Sequence, residues 1–508
     1  MTTRISHAPF LWILALAACS IAGATTAGAT TILVPSGQPT IQAGIDAAAP
    51  GDTVLVAPGV YSGPGNRNLT WSGRDLVLLS EQGAAATVID VALGHADEPG
   101  RGFDLLQVGA ASTISGFTVR GGDARNLSLN GRGGGALLVV SAPTFRDCIF
   151  RENRAQSGAN GGGGAVALIS SSARFENTSF LDNVVEGLSS VGGAVVCVAP
   201  STPVFLQCRF EGNSVNTPGG PLSSSGGAFF AWDYAAPLLE QCTFFANSSD
   251  TEAAGFFSGF YSQPTLRQCV FEANSGRLGG GGLIAGTALV EDCDFIANTA
   301  TFGGGGLEIE SGVILVTRCR FLGNTAVVEG GGVRVTESTP ELRECVFAGN
   351  TAPEGGGLYV RRATVGLARS TFYGNSSGIM VGRASDPIPS QLIMAYSIIN
   401  GSTSGRAVSC GMAGTATLTC SDVFGNAGGD WVDCIAGQEG MSGNFSLDPC
   451  FCAPANGDYT LSADSPCAPA HSPAGCDLIG ALPVGCAISC GTTALEATTW
   501  GQIKALHR

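Results

Sequence analysis

Charge is scarce in this sequence, and lysine nearly absent. Charged residues make up 13% of the 508, with 25 Lys and Arg against 40 Asp and Glu, and Lys504 is the only lysine. The resulting net charge of -15 argues against nucleic acid as a partner, because phosphate binding requires clustered Lys and Arg. Four histidines leave little for a metal centre, which draws on His or on spaced Cys pairs, so no metal ligands are assigned. No apolar run reaches the roughly 20 residues that a membrane-spanning helix needs. Low charge combined with 44% hydrophobic residues is the opposite of the balance that keeps a chain disordered. The chain therefore folds.

What abounds is glycine, 75 residues, and cysteine, 18. Nine times a phenylalanine is followed three residues later by asparagine, at Phe150, Phe180, Phe210, Phe244, Phe271, Phe295, Phe321, Phe347 and Phe372, with spacings of 24 to 34 residues. In seven copies a cysteine stands two residues before the phenylalanine; Thr178 and Ser370 replace it in the others. Such a period marks a stacked solenoid, since one unit cannot bury its apolar face alone. Each repeat also carries a glycine run feeding an alternating stretch, such as Leu307-Glu308-Ile309-Glu310. Period-two alternation means strands with one buried face. Two or three short strands per coil then make a parallel β-helix with inward Cys and Phe, glycines at one bend, and asparagines at another, where Asn tolerates left-handed dihedrals.

The solenoid is expected over 30–435, with an amphipathic helix at 39–48 covering its first coil and degenerate coils near 76–79, 114–119, 397–400 and 423–426. The paired motifs Gly-Gly-Ala/Leu/Val and Phe-x-x-Asn resemble the repeats of polymorphic outer membrane proteins. The opening at 39–61 and the closing stretches 456–461, 464–467 and 477–481 resemble those of bacterial right-handed β-helix, pectin-lyase-like proteins. The resemblance implies an all-β, single-stranded right-handed parallel β-helix with an N-terminal helical cap and a disulfide-rich C-terminal cap over 436–490, then a tail, 491–508. It leaves function open, because that fold hosts lyases, hydrolases, adhesins and passive surface proteins.

Arg4 followed by the apolar run 10–18 reads as an export signal. Ala22-Gly23-Ala24, which would end it at 24, and Ala27-Gly28-Ala29 both fit an ordinary cleavage site, whereas Leu16-Ala17-Ala18-Cys19 resembles a lipobox, ending it at 18 and making Cys19 a lipidation site. Either signal directs the chain to the outer membrane, cell surface or medium, where thiols meet an oxidising environment. The column cysteines are nonetheless expected as free buried thiols, because parallel strands hold their β-carbons about 4.8 Å apart, beyond the usual disulfide span. The cluster that includes Cys450, Cys452, Cys467, Cys476, Cys486 and Cys490 is expected to staple a loop-rich cap.

Function must lie on outward positions. Taking the residue after each glycine run as inward gives an outward column Leu137, Val166, Val195, Phe229, Phe256, Ile284, Glu308, Arg334, Tyr359 and Met380. Its middle, with Phe229, Trp232, Asp233, Tyr234, Phe256, Phe260 and Tyr261, is a candidate ligand-binding face for sugar rings or a protein partner. A loop folded over it is the structural alternative. Glu308 and Glu310 with Arg334 are the catalytic candidates, set against a solvated Glu-Arg ladder of no chemical consequence. Asp430 and Asp433 could hold calcium, though two carboxylates are few; no other cofactor is implied. The primary expectation is an exported surface protein engaged in adhesion or in glycan or partner binding, with no catalysis assigned. A polysaccharide lyase or hydrolase, and a passive envelope protein, are the alternatives.

Overall fold

The computed structural model describes residues 28–95, 98–125, 131–157, 161–187, 190–217, 225–487 and 489–490. The export signal with Cys19, and the tail, fall outside the described residues. The described chain winds as an all-β right-handed parallel solenoid of about 15 turns. A central coil has up to four strands, more than the repeat alone indicates; Ala136–Val139, Thr144–Arg146, Ile149–Arg151 and Arg154–Ser157 make one. Each strand pairs in parallel with its copy in the next coil, Ala136 with Val166, Phe145 with Phe175, Phe150 with Phe180 and Arg154 with Val184. The first two faces merge into one sheet because Gly282–Glu291 and Leu307–Thr317 each run through the corner between them.

Two left-handed corners frame the Cys-Phe strand. In the first full repeat Asp147 (φ 52°) and Glu152 (φ 54°) bracket Ile149–Arg151, and the equivalent positions follow suit, with Gly212, Gly323, Gly349 and Gly374 in some coils. The strained residue is therefore the one before each asparagine, not the asparagine itself. The physical reason is that the asparagine must face inward: the side chain of Asn183 accepts from the backbone N–H of Asn153 (3.1 Å) and from its Nδ2 (3.0 Å), while its own Nδ2 donates to the Phe150 carbonyl (3.0 Å). The pattern repeats without a break from Asn153 to Asn375. A buried amide thus satisfies the backbone groups that each bend leaves without a strand partner.

Beside the asparagines, the nine phenylalanines stack face to face from Phe150 to Phe372, with centroids 4.3 to 5.6 Å apart. The cysteines are free and buried, and each contributes more than volume. Cys148 donates to the Arg146 carbonyl (3.2 Å), and Thr178 (3.0 Å) and Ser370 (3.1 Å) do the same to the carbonyls two residues back. The column is filled by small side chains carrying a donor, which is why Thr and Ser substitute there.

At the first coil the helix Ile41–Ala47 begins at Thr40, whose hydroxyl accepts from the Ala43 amide (3.2 Å), and it buries Ile41 and Ile45 in the core. A strand that the pattern did not foretell, Thr31–Val34, precedes it and pairs with Thr53–Val56. At the other end four disulfides, Cys410–Cys434, Cys420–Cys476, Cys450–Cys490 and Cys452–Cys486, tie the loop-rich cap together and to the last coils. Cys467, expected to join them, is instead a buried free thiol that donates to Asp422 Oδ2 (3.3 Å). Asp430 accepts from the Gly425 and Asn426 amides, and Asp433 pairs with Arg406 (2.6 Å), so the proposed calcium carboxylates serve separate local bonds.

Two outcomes follow. Asn274→Ala strips partners from Asn247 and from the Phe244 carbonyl in the interior; each buried orphan costs about 1–3 kcal/mol, so the variant should unfold at clearly lower denaturant than wild type, and an unchanged midpoint would refute the ladder's role. Burial, outweighing the Leu447 amide and Cys467 thiol bonds, pushes the Asp422 carboxyl up to about 7 from an ordinary 3.8. The folded chain therefore holds a proton that the unfolded chain releases, and this contribution to stability declines as pH rises from about 4 to 7. The difference in melting temperature between Asp422→Asn and wild type should shift progressively in the variant's favour across that window and level off above it.

Candidate functional site

The outward column is set by where each coil's glycine corner begins. In repeats where Gly133, Gly163, Gly192 and Gly226 take positive φ, the inward residue is three positions later and the outward residue four. Glycine runs differ in length, so counting from the last glycine slips the register by one in several coils, and one step exchanges the two faces of a strand. The true column is Leu137, Ala167, Val196, Phe230, Phe257, Leu283, Glu308, Arg334, Tyr359 and Met380. Val166, Val195, Phe229, Phe256 and Ile284 instead point into the core, where Phe229 stacks on Phe256 at 5.3 Å. They cannot meet a ligand.

The first six outward residues are not a bare stripe either. They pack with Val191 and Ala253 into a second apolar cluster on the outside of the sheet. Above that floor lies an open groove of about 610 Å³ lined by Phe230, Trp232, Phe257 and Phe260, by the carboxylates of Asp233, Glu252 and Glu310, and at one end by Arg132. From Ile169 to Glu310 it crosses six successive coils, roughly 24 Å at the spacing of neighbouring strands. Residues 218–224 of the loop considered as a cover lie outside the described residues; Ser225 and Val191 are part of the wall.

The aromatic wall comes from two successive corners. Trp232 (39% exposed) lies nearly parallel to Phe230 and Phe257, at 12° and 15°, and meets Phe260 edge-on at 6.2 Å. Gly259 permits this, since a Cβ there would lie 1.8 Å from the indole. Next to it Tyr234 stacks on Tyr261 (5.2 Å), both well exposed. Asp233, Tyr234 and Tyr261 all hold φ near +60°, the left-handed corner that Val140, Ser170 and Ala199 make in the preceding coils. Five of the seven residues expected to form the binding face, Trp232, Asp233, Tyr234, Phe260 and Tyr261, are thus brought together on the surface.

The charged candidates divide. Glu308 is fully buried, paired with Arg334, whose Nε also donates to Glu329 (2.8 Å) and whose guanidinium lies 5.4 Å over the Phe302 ring. This is a dry network rather than the solvated ladder expected; burial outweighs Arg334 and holds the Glu308 carboxyl at about 8. Neither Glu308 nor Arg334 lines the groove, whereas Glu310, two residues on and on the same face, does. The solvated ladder does exist elsewhere, between Asp294 and Arg320. Glu252 escaped the sequence reading because it sits on a corner, outside any alternating strand. Its signal was a break in the pattern: in this coil Glu252-Ala253-Ala254-Gly255 stands where its neighbours carry glycine runs.

The family model for the right-handed beta helix region matches residues 140–313 and 281–435. No protein of curated function matches the sequence. Among solved structures, an alginate lyase, AlyF-OU02 in complex with G6, is 11% identical with TM-score 0.42, covering 90% of this chain and 95% of its own. The catalytic unit of a GH87 alpha-1,3-glucanase from Streptomyces thermodiastaticus is 17% identical with TM-score 0.43, covering 80% and 70%. Tailspike protein 3 of bacteriophage CBA120 is 14% identical with TM-score 0.37; the match covers 74% of this chain and about half, 55%, of the tailspike. These likenesses concern the winding of the chain alone. The matched stretches span more than half of the sequence, and the chain belongs to the right-handed β-helix family.

Proposed function

We propose that this is an exported β-helix protein that binds a carbohydrate chain along the groove of its first face. The observation that carries the reading is the shape and lining of that groove: it runs along the helix axis over six coils, and a cluster of flat aromatic rings shares its lining with three carboxylates. A sugar ring offers C–H faces to stack on aromatics and hydroxyls to bond to acids, and an elongated groove suits a polymer better than a small metabolite. Export agrees with the four disulfides, which form and persist in oxidising compartments. A surface position, reached by secretion or through a lipid on Cys19, would present the groove to polysaccharide outside the cell. The exposed stack of Tyr234 on Tyr261, outside the lining of the groove, offers a further flat surface to a sugar ring.

The mature protein on an array of neutral and acidic glycans should bind a restricted set. Trp232→Ala and Phe260→Ala should weaken that binding at least about fivefold, the order of one aromatic stacking contact, while leaving the melting temperature within a few degrees. Binding unaffected by either substitution, or no binding to any glycan, would overturn the proposal.

A further inference from the structure

The charges along the groove are one-sided. Asp233, Glu252 and Glu310 are acids, and Arg132, at the end built by the earliest coil, is the one base in the lining among the described residues. Elsewhere acids close to arginine are neutralised in pairs, as at Asp294 with Arg320, Glu176 with Arg146 and Arg174, and Asp292 with Arg318. The groove acids are not. Asp233 and Glu310 make no hydrogen bond or ion pair with any described residue, and among those residues Glu252 accepts a bond from the Ser225 hydroxyl alone. Burial raises the Glu310 and Glu252 carboxyls above the ordinary glutamate value although Arg334 and Arg277 act in the opposite sense, and the charge of Glu310 is felt at Glu252. Neither of those arginines lines the groove, so its negative charge lacks a counter-charge on the side from which a ligand enters.

Building on the carbohydrate-binding reading, we propose that the groove selects a chain of amino sugars, whose protonated amines supply the missing positive charge, and turns away chains of uronic acids. Two features of the lining favour the same cation. A carboxylate forms a charge-assisted hydrogen bond with an ammonium, roughly twice as strong as a bond between neutral groups, and an indole attracts a cation to its ring face. Trp232 and Phe260 are the best exposed rings of the lining, at 39% and 48%. Asp233 follows Trp232 directly in the chain, so one corner supplies both a ring and a carboxylate. Asp233 and Glu252 belong to neighbouring coils, and Glu310 to the second coil beyond Glu252. Negative charge is thereby spread along the axis, which suits a ligand that repeats its amine from sugar to sugar.

An anionic polymer meets the opposite balance. Each uronate carboxylate lying over this lining would encounter like charges in a partly desolvated groove, and like charges brought together at an interface cost affinity outright. A neutral polymer stacks on the rings and bonds to the acids without that cost and without the gain. The order expected is therefore amino sugar, then neutral sugar, then uronate. Carboxylates set the order, and the rings supply affinity common to the first two. Arg132 does not reverse it, because that residue belongs to the coil three steps before the one that carries Asp233, a backbone offset of roughly 14 Å at the spacing of neighbouring strands.

The test measures, by calorimetry in neutral low-salt buffer, the affinity of the mature chain for two matched pairs of oligosaccharides of equal length. Glucosamine is set against N-acetylglucosamine and galacturonate against galactose, with oligolysine as a cation that lacks sugar rings. The glucosamine chain should bind about tenfold more tightly than its N-acetylated counterpart, the order of one charge-assisted bond, and galacturonate at least about tenfold more weakly than galactose. Glu310→Gln and Asp233→Asn should each shrink the first ratio about threefold, the order of one half-exposed ion pair, and added salt should shrink it too. Asp294→Asn, in the Cys-Phe sheet, should leave it unchanged, and melting temperatures within a few degrees of wild type check that each variant folds. Equal affinities within the first pair, or galacturonate bound better than galactose, with binding still lost in Trp232→Ala, would overturn charge selection and leave the carbohydrate-binding reading standing. Oligolysine bound as tightly as the glucosamine chain would overturn the amino-sugar assignment in favour of a site for any cation. A first ratio kept when Asp233→Asn, Glu252→Gln and Glu310→Gln are combined would overturn the role of these acids. Absence of binding to every saccharide, these and those of the array, would overturn both readings.

Discussion

Each coil must land on the previous one in register, because a slip of one residue turns the core-facing side chains outward. The asparagine ladder enforces this. An inward amide that donates to the amide of the next coil, accepts from the backbone N–H of the previous asparagine and donates to the previous phenylalanine carbonyl has a single position in which all its bonds form. The ladder is anchored at a corner, where backbone groups would otherwise be left dry, and the stacked phenylalanines fill the space beside it. Two chemistries thus fix the same alignment, one by hydrogen bonds and one by shape.

That rigid stack is what allows a groove to exist. Rings from separate coils, Phe230 with Phe257 at 4.9 Å, and Tyr234 with Tyr261, become neighbours only because the coils beneath them are aligned. Irregularity is confined to the corners, which vary in length without disturbing the strands. A left-handed residue recurs at this corner in other coils, at Val140, Ser170, Ala199, Glu337 and Arg362, and the coil pair around Trp232 and Phe260 differs in placing aromatic side chains there. The scaffold stores its strain where it can present side chains to solvent.

The charged end of the outward column illustrates how burial changes the meaning of a motif. Glu308 and Arg334 look like surface residues because they alternate with apolar ones, yet they close on each other and on Glu329 under Tyr359 and Phe302, with Glu308 Oε2 left without a partner among the described residues. A buried network of this kind adds little net stability when compared with apolar packing, but removing one member leaves the others uncompensated. Glu310, on the same strand and face, ends up at the groove because it lies two residues nearer the corner.

The repeat of Phe and Asn and the alternation after the glycines were enough to determine a stacked β-helix, its capping helix and its free thiol column, since these depend on local spacing and on like residues meeting like. The same reasoning reached Trp232, Asp233, Tyr234, Phe260 and Tyr261, whose density of aromatics is visible in the chain. It failed at Phe229 and Phe256, where the facing of a side chain depends on which glycine opens the corner, a backbone property that glycine runs of unequal length conceal. Only the tertiary structure decided that Glu252 and Glu310, 58 residues apart in the chain, share one groove while Glu308 is sealed away, because corner geometry and burial arise from the stacked coils together and from no one repeat.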